Sequence, residues 1–150
     1  MTAAELAADL AMAAHPEGGW YRETWRSVQT VDTPQGQRNA GTAILYLLGP
    51  GERSALHRIQ SDEVWFHHRG VGLLIHIIEA GQARCERLDA ARPQLVVPAG
   101  AWFGALPADN ELVLVGCAVA PGFDFADFDL ARAGDVADVA DGPWRQLLAE

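Results

Sequence analysis

The stretch from Gly51 to Gly70, GERSALHRIQSDEVWFHHRG, sets an imidazole at His57 and a carboxylate at Glu63 on either side of a short polar turn, Gln60-Ser61-Asp62. Such a turn brings the ends of two neighbouring strands side by side, within hydrogen-bond reach. A carboxylate next to an imidazole orients the ring and raises its pKa, so His57 reads as a base or ligand anchor with Glu63 as its partner. His67 shares strand parity with Glu63 and Trp65 and is expected to point the same way, as a third potential metal ligand. Tyr46 alternates with Thr42, Ile44 and Leu48 on one face of an apolar strand, where its hydroxyl would donate a hydrogen bond or act as an acid. Arg22 carries a planar fork suited to a carboxylate or phosphate, and Glu23 follows it; the structural alternative for both is an ion pair. Trp65 and Trp102 would wall an apolar pocket or stack on a flat ligand, and Gln94 would offer an amide. Ser54 would offer a hydroxyl, but no nucleophile elbow surrounds it, which argues against a serine hydrolase.

These residues must be held by strands. Trp20 to Val31, Thr42 to Leu48, Ala55 to Ile59, Glu63 to His68, Val71 to Glu79, Ala83 to Leu88, Gln94 to Val97, Ala101 to Leu106 and Leu112 to Ala120 read as about nine short strands broken by Gly and Pro. That rhythm predicts an antiparallel sandwich or barrel and not βαβ units. Thr2 to Ala14 reads as a helix with Thr2 as cap, ended by His15-Pro16-Glu17-Gly18-Gly19. His15 reads as a loop residue, Asp32 to Gly41 as a polar turn region, Phe123 to Leu130 as a final edge strand, and the acidic run Asp124 to Asp141 as solvated. A weak helix is expected from about Val136, packing Trp144 and Leu147 onto the body.

Composition narrows the chemistry further. The 150 residues suit a single domain over the whole chain, 1–150. Lys and Arg together number 11 against 20 Asp and Glu, a formal charge of −9, which argues against nucleic acid or an anionic membrane as partner. The sequence has no lysine, which removes Schiff-base chemistry, a P-loop lysine and a pyridoxal anchor. Cys85 and Cys117 lie in apolar stretches and read as core thiols. The alanine-rich start carries Glu5 and Asp9 and no basic residue, unlike an export signal, so a cytoplasmic protein is expected.

With these motifs in hand, the chain resembles the cupin superfamily. The first cupin motif is Gly, five residues, His-x-His, three or four residues, Glu, six residues, Gly; Gly51, His57, Glu63 and Gly70 fall on it. The second runs Pro-x-Gly, two residues, His; Pro98 and Gly100 match. The segments HPEGGWYRETWRS, TAILYLL, SALHRIQSDEVW, VVPAGAWFGA and VGCAVAPGFDFADF are similar to one largely uncharacterised cupin branch, over roughly residues 15–130. The resemblance implies an all-β double-stranded β-helix (jelly roll), commonly a homodimer, with a ligand pocket in its barrel. It departs at two positions, where Ile59 and Phe103 stand in place of usual metal-binding histidines. Carbon-only side chains offer a metal no lone pair.

No cofactor is therefore expected; the alternative is a weakly held divalent metal on His57, Glu63 and His67. The expected function is binding of a small organic ligand, with metal-independent epimerisation or isomerisation of a sugar or oxo-acid compound as the chemistry. In that scheme His57 takes the proton, and Tyr46 or Arg22 steadies the enolate oxygen. A non-catalytic binding or sensing module and a metal-dependent oxygenase or isomerase are the alternatives.

Overall fold

The computed structural model describes residues 1–149. A short helix, α1 (Ala3–Asp9), precedes thirteen strands: β1 (Ala13–Ala14), β2 (Trp20–Arg26), β3 (Thr30–Thr33), β4 (Gly36–Asn39), β5 (Thr42–Leu48), β6 (Ser54–Arg58), β7 (Asp62–Gly70), β8 (Leu73–Glu79), β9 (Gln82–Leu88), β10 (Gln94–Val97), β11 (Trp102–Pro107), β12 (Val113–Ala120) and β13 (Asp129–Leu130). They form a six-stranded sheet in the order β1-β2-β5-β12-β7-β10 and a five-stranded sheet in the order β13-β6-β11-β8-β9. All pairings are antiparallel, and β3 and β4 make a separate hairpin. The fold is the expected cupin-type double-stranded β-helix.

Strand alternation decides what fills the space between the sheets. From β5, Tyr46 and Leu48 enter the core; from β12, Val113, Val115, Cys117 and Val119; from β11, Phe103 and Ala105. The opposite faces are also covered. Leu47 and Leu114 pack under Leu6 and Ala7 of α1. Leu56 and Ile78 pack under Val136, Val139, Trp144 and Leu147 of the C-terminal segment. Burial on both faces explains why β5, β8 and β12 read as near-continuous apolar runs.

Several local expectations are corrected. The helix stops at Asp9, because Ala11 adopts a positive φ of 54° and Ala13–Ala14 pair with Trp20 and Tyr21. The polar stretch Asp32 to Gly41 forms part of the β3–β4 hairpin. Phe123 to Leu130 is mostly not a strand: Phe125–Asp127 make a 3₁₀ turn capped by Asp124, and only Asp129–Leu130 pair, with β6. The C-terminal segment holds two 3₁₀ turns, Ala133–Val136 and Pro143–Leu147, since Gly142-Pro143 interrupts any longer helix. Trp144 and Leu147 are buried there as expected, and the Trp144 indole N–H donates to the Ala140 carbonyl at 3.0 Å.

The turn after His15 has the tightest backbone packing. Gly18 and Gly19 have φ of +111° and +76°, and a Cβ on Gly18 would collide with the Arg53 carbonyl oxygen. This turn presses Glu17 against β6, where the Glu17 carbonyl accepts the Ala55 N–H at 2.7 Å. Gly18→Ala should therefore destabilise the protein by at least about 2 kcal/mol, since it adds backbone strain to a collision with main chain. Urea denaturation with an unchanged slope would measure this, and a variant within experimental error of wild type would contradict it.

Candidate functional site

One end of the barrel is filled by Tyr46, Trp65, Phe103 and the aliphatic residues around them. The other end holds a cavity of about 410 Å³, within the range of small-molecule sites. Its lining combines buried polar groups (His15, Glu17, His57, Glu63) with Ile44, Ile59, Val119 and the aromatic rings of Tyr21, Phe123, Phe125 and Phe128.

The carboxylate bonded to His57 is Glu17. His57 Nε2 lies 2.8 Å from Glu17 Oε2, and Ser54 Oγ donates to the same oxygen at 2.6 Å. His57 Nδ1 lies 2.7 Å from the Ala55 carbonyl. A carbonyl only accepts, so Nδ1 carries a proton; Nε2 must carry another to bond a carboxylate. The ring is therefore an imidazolium facing a carboxylate, both about nine-tenths or more buried. Burial alone would lower the His57 pKa, but the charge and hydrogen bond of Glu17 outweigh it and raise it. Burial pushes Glu17 up, and the charge and hydrogen bond of His57, with the Ser54 hydrogen bond, carry it below its ordinary value.

His15 has a different state. Its Nδ1 accepts the Glu17 backbone N–H at 3.0 Å, so that nitrogen holds a lone pair. The 3.6 Å approach of Nδ1 to Glu17 Oε1 is then no ion pair. Burial lowers the His15 pKa, in keeping with a neutral ring whose one proton sits on Nε2.

Glu63 lines the same cavity without a full counter-charge. It is 8% exposed, and Cys117 lines the cavity with it. Burial is the main cause of its raised pKa; repulsion from Glu17 adds to it and attraction to His57 opposes it, leaving a value of about 7. At the rim, Glu23 and Arg26 form a two-pronged ion pair, with contacts of 2.6 and 3.2 Å. A bulge in β2 between Glu23 and Trp25 turns both Glu23 and Arg26 toward the cavity and leaves Trp25 54% exposed.

Of the residues singled out from sequence, His57, Glu63 and Glu23 line the cavity, and Ser54 touches it through Glu17. The others do not. Tyr46 is inward but deeper, with its hydroxyl donating to the Gly18 carbonyl. Trp65 is packed between Tyr46 and Phe103, at ring separations of 6.2 and 6.1 Å. His67 stands four residues beyond Glu63 on β7, which is about 13 Å along a strand, and its Nε2 meets the Val71 carbonyl at 3.0 Å. Arg22 is exposed, because neighbours on a strand face opposite ways and Tyr21 and Glu23 face in. Gln94 faces outward for the same reason, since Leu95 and Val97, of the opposite parity, face the core. Trp102 lies on the outer face, where the Arg58 guanidinium sits 4.4 Å from its ring centre. Sequence reasoning missed His15, Glu17, Tyr21, Arg26 and the Phe123–Phe128 loop. The signal available was the HPEGG turn, whose paired glycines mark close backbone packing around Glu17.

The donor set fits a metal poorly. Ile59 and Phe103 supply no lone pair, both His57 nitrogens are engaged, and His67 lies too far along β7 to join Glu63. Among the described residues no group of three or more His, Cys, Asp or Glu side chains is arranged to hold a metal ion.

Comparisons with known proteins agree with this architecture. Residues 4–131 match the family described as cupin superfamily (DUF985). A hypothetical protein from Leishmania major is 32% identical and superposes with a TM-score of 0.85, with each chain covered in full. Protein SO0799 from Shewanella oneidensis is 34% identical with a TM-score of 0.82, covering 97% of this chain and 92% of that one. Uncharacterized protein YML079W of Saccharomyces cerevisiae is 28% identical over 160 residues, 93% of this chain and 80% of that protein. With its two-sheet barrel and a match over most of its length, the chain belongs to the cupin superfamily (DUF985).

Proposed function

We propose that this cupin binds a small organic compound in the cavity and moves a proton on a carbon beside a carbonyl, as a metal-independent isomerase or epimerase of a sugar-like or oxo-acid compound. The observation that carries the reading is a pair of carboxyl groups with opposed environments on one cavity. Glu17 is held ionised by His57, and Glu63 is held near neutrality by burial. A carboxyl group brought near neutral pH beside one held ionised is suited to carry a proton, while the other keeps its charge.

In this reading Glu63 takes the proton. A carboxyl group with a value of about 7 has both forms on hand at neutral pH, which suits proton transfer. The electron pair of the broken C–H bond moves onto the carbonyl oxygen, and the Nε2–H of neutral His15 is the donor for that oxygen. Glu63 then returns the proton to the neighbouring carbon (isomerisation), or water delivers one to the opposite face while Glu63 gives its own up to solvent (epimerisation), so no electrons are lost or gained. His57, with both nitrogens engaged, does not act as the base expected from sequence; it fixes the charge of Glu17.

Solvent exchange tests the proposal. Candidate ketoses, amino sugars and oxo acids are incubated with the protein in heavy water, and loss of the proton signal beside the carbonyl is followed by NMR. For at least one compound, exchange should exceed that of Glu63→Gln by roughly 10²–10⁴-fold, the usual contribution of a positioned acid–base group. A compound that saturates the cavity yet keeps its protons would overturn the catalytic reading and leave a binding module.

A further inference from the structure

The cavity is unbalanced in what it offers a ligand. Four acidic side chains line it, Glu17, Glu23, Glu63 and Asp124, against two cations, Arg26 and His57. Both cations are already engaged. Arg26 spends four of its N–H groups on Glu23, Asn39 and the Phe123 carbonyl, out of the five a guanidinium carries. His57 spends both of its own on Ala55 and Glu17. The acceptors, by contrast, are open. Glu17 Oε1 and both Glu63 oxygens receive no hydrogen bond among the described residues, the Glu17 bonds from His57 and Ser54 both falling on Oε2.

A carboxylate or phosphate entering this space would meet like charge and find no free fork to hold it. A cation would find carboxylates and, across the cavity, the ring faces and edges of an aromatic cluster. Phe123 and Phe125 lie 4.7 Å apart, and Phe125 and Phe128 6.0 Å apart. Tyr21 packs edge-on to His15 at 4.6 Å. Aromatic rings beside carboxylates favour organic cations, through burial of the apolar body and attraction of the charge to the ring faces.

We propose that the ligand of this cavity carries a protonated amine, seated against Glu63 and Glu17, on an apolar or ring-shaped body packed against Tyr21, Phe123, Phe125 and Phe128. The inference rests on the cavity reading above and turns it away from oxo acids and phosphorylated sugars toward amine-bearing compounds. A consequence follows at Glu63, which is faced by Glu17 from the turn, His57 from β6 and Cys117 from β12. An ammonium group beside it favours the ionised carboxylate, so binding should release a proton below neutrality and tighten as pH rises.

Three probes sharing one body separate the terms: benzylamine, benzyl alcohol and benzoate. Each is titrated into the protein at low salt, followed by the NMR methyl signals of Ile44, Ile59 and Val119, which line the cavity. At pH 8 benzylamine should bind at least tenfold more tightly than benzyl alcohol, with benzoate weakest. Its affinity should fall severalfold at pH 6, and Glu63→Gln should remove that fall. The wild-type pH comparison decides the point even if the variant folds poorly. Equal affinities for amine and alcohol, or tighter binding of benzoate, would overturn the charge preference while leaving the cavity a binding site. Absence of saturable shifts from all three would overturn both readings. An amine preference without proton exchange in heavy water would overturn only the catalytic one.

Discussion

Replacing Glu17 by alanine should cost the fold on the order of 3–5 kcal/mol, because it strands a buried imidazolium without its counter-ion. The loss divides into two parts that a double-mutant cycle separates. His57→Leu removes the charge and leaves Glu17 uncompensated, so it should also be costly. The double variant Glu17→Met with His57→Leu removes both charges and should recover most of the stability, since two apolar side chains need no partner. Urea denaturation of the four proteins gives the coupling directly. Single variants that lose less than about 1 kcal/mol, the range of exposed pairs, would contradict the buried ion pair.

The same pair sets a pH window. The His57 pKa is raised on folding, so its contribution is complete below the unfolded value and is lost as pH rises through the folded one. The Glu17 pKa is lowered, so its contribution is present above the unfolded value and is lost as pH falls through the folded one. The pair therefore stabilises most between these limits. In Glu17→Ala, burial is no longer opposed, and the His57 titration followed by NMR should move to lower pH than in wild type.

How much of this was legible in the sequence depends on which question is asked. The strands were legible because Gly and Pro cut the chain at short intervals and the apolar runs between them carry the fold. Strand parity was legible too: Tyr46, Trp65 and Glu63 all face inward, as alternation required. Depth along the barrel was not. Parity repeats every two residues and gives no information on how far a side chain lies from the open end, so it does not separate Tyr46, Trp65 and His67 from the residues that line the cavity. Bulges add a second limit. The irregularity in β2 between Glu23 and Trp25 brings Arg26 to the cavity, and no local pattern announces it.

Glu17 was hidden for a different reason. A glutamate between proline and two glycines has the composition of an exposed turn. It is buried because Gly18 lets the turn lie flat on the Arg53–Ser54 backbone, some thirty-five positions further along. That contact is non-local, and the His57 motif explained itself well enough with Glu63. The acidic loop after Pro121 hides its role in the same way: Phe123, Phe125 and Phe128 fold over the cavity while Asp124 caps the turn and Asp127 pairs with Arg38 at 2.8 Å.

Glu63→Gln should make the protein more stable at pH 8, against the usual expectation that a hydrogen-bonding buried group supports the fold. Folding raises the Glu63 carboxyl from an ordinary 4.5 to about 7. A raised carboxyl binds its proton more tightly in the folded state, so its effect on stability is most favourable below the unfolded value. It declines as pH rises through the interval and reaches its full cost above about 7. That cost is on the order of 3 kcal/mol for a group this deeply buried. A glutamine of the same shape avoids it. Thermal unfolding of the two proteins should give a gap of several degrees at pH 8 that closes near pH 4.5. A gap independent of pH, or a variant less stable than wild type at pH 8, would show that Glu63 is matched to its surroundings. If the gap is found, the same substitution that steadies the fold should abolish proton exchange. Loss of proton exchange together with a gain in stability is the pattern expected of a group placed for chemistry and not for folding.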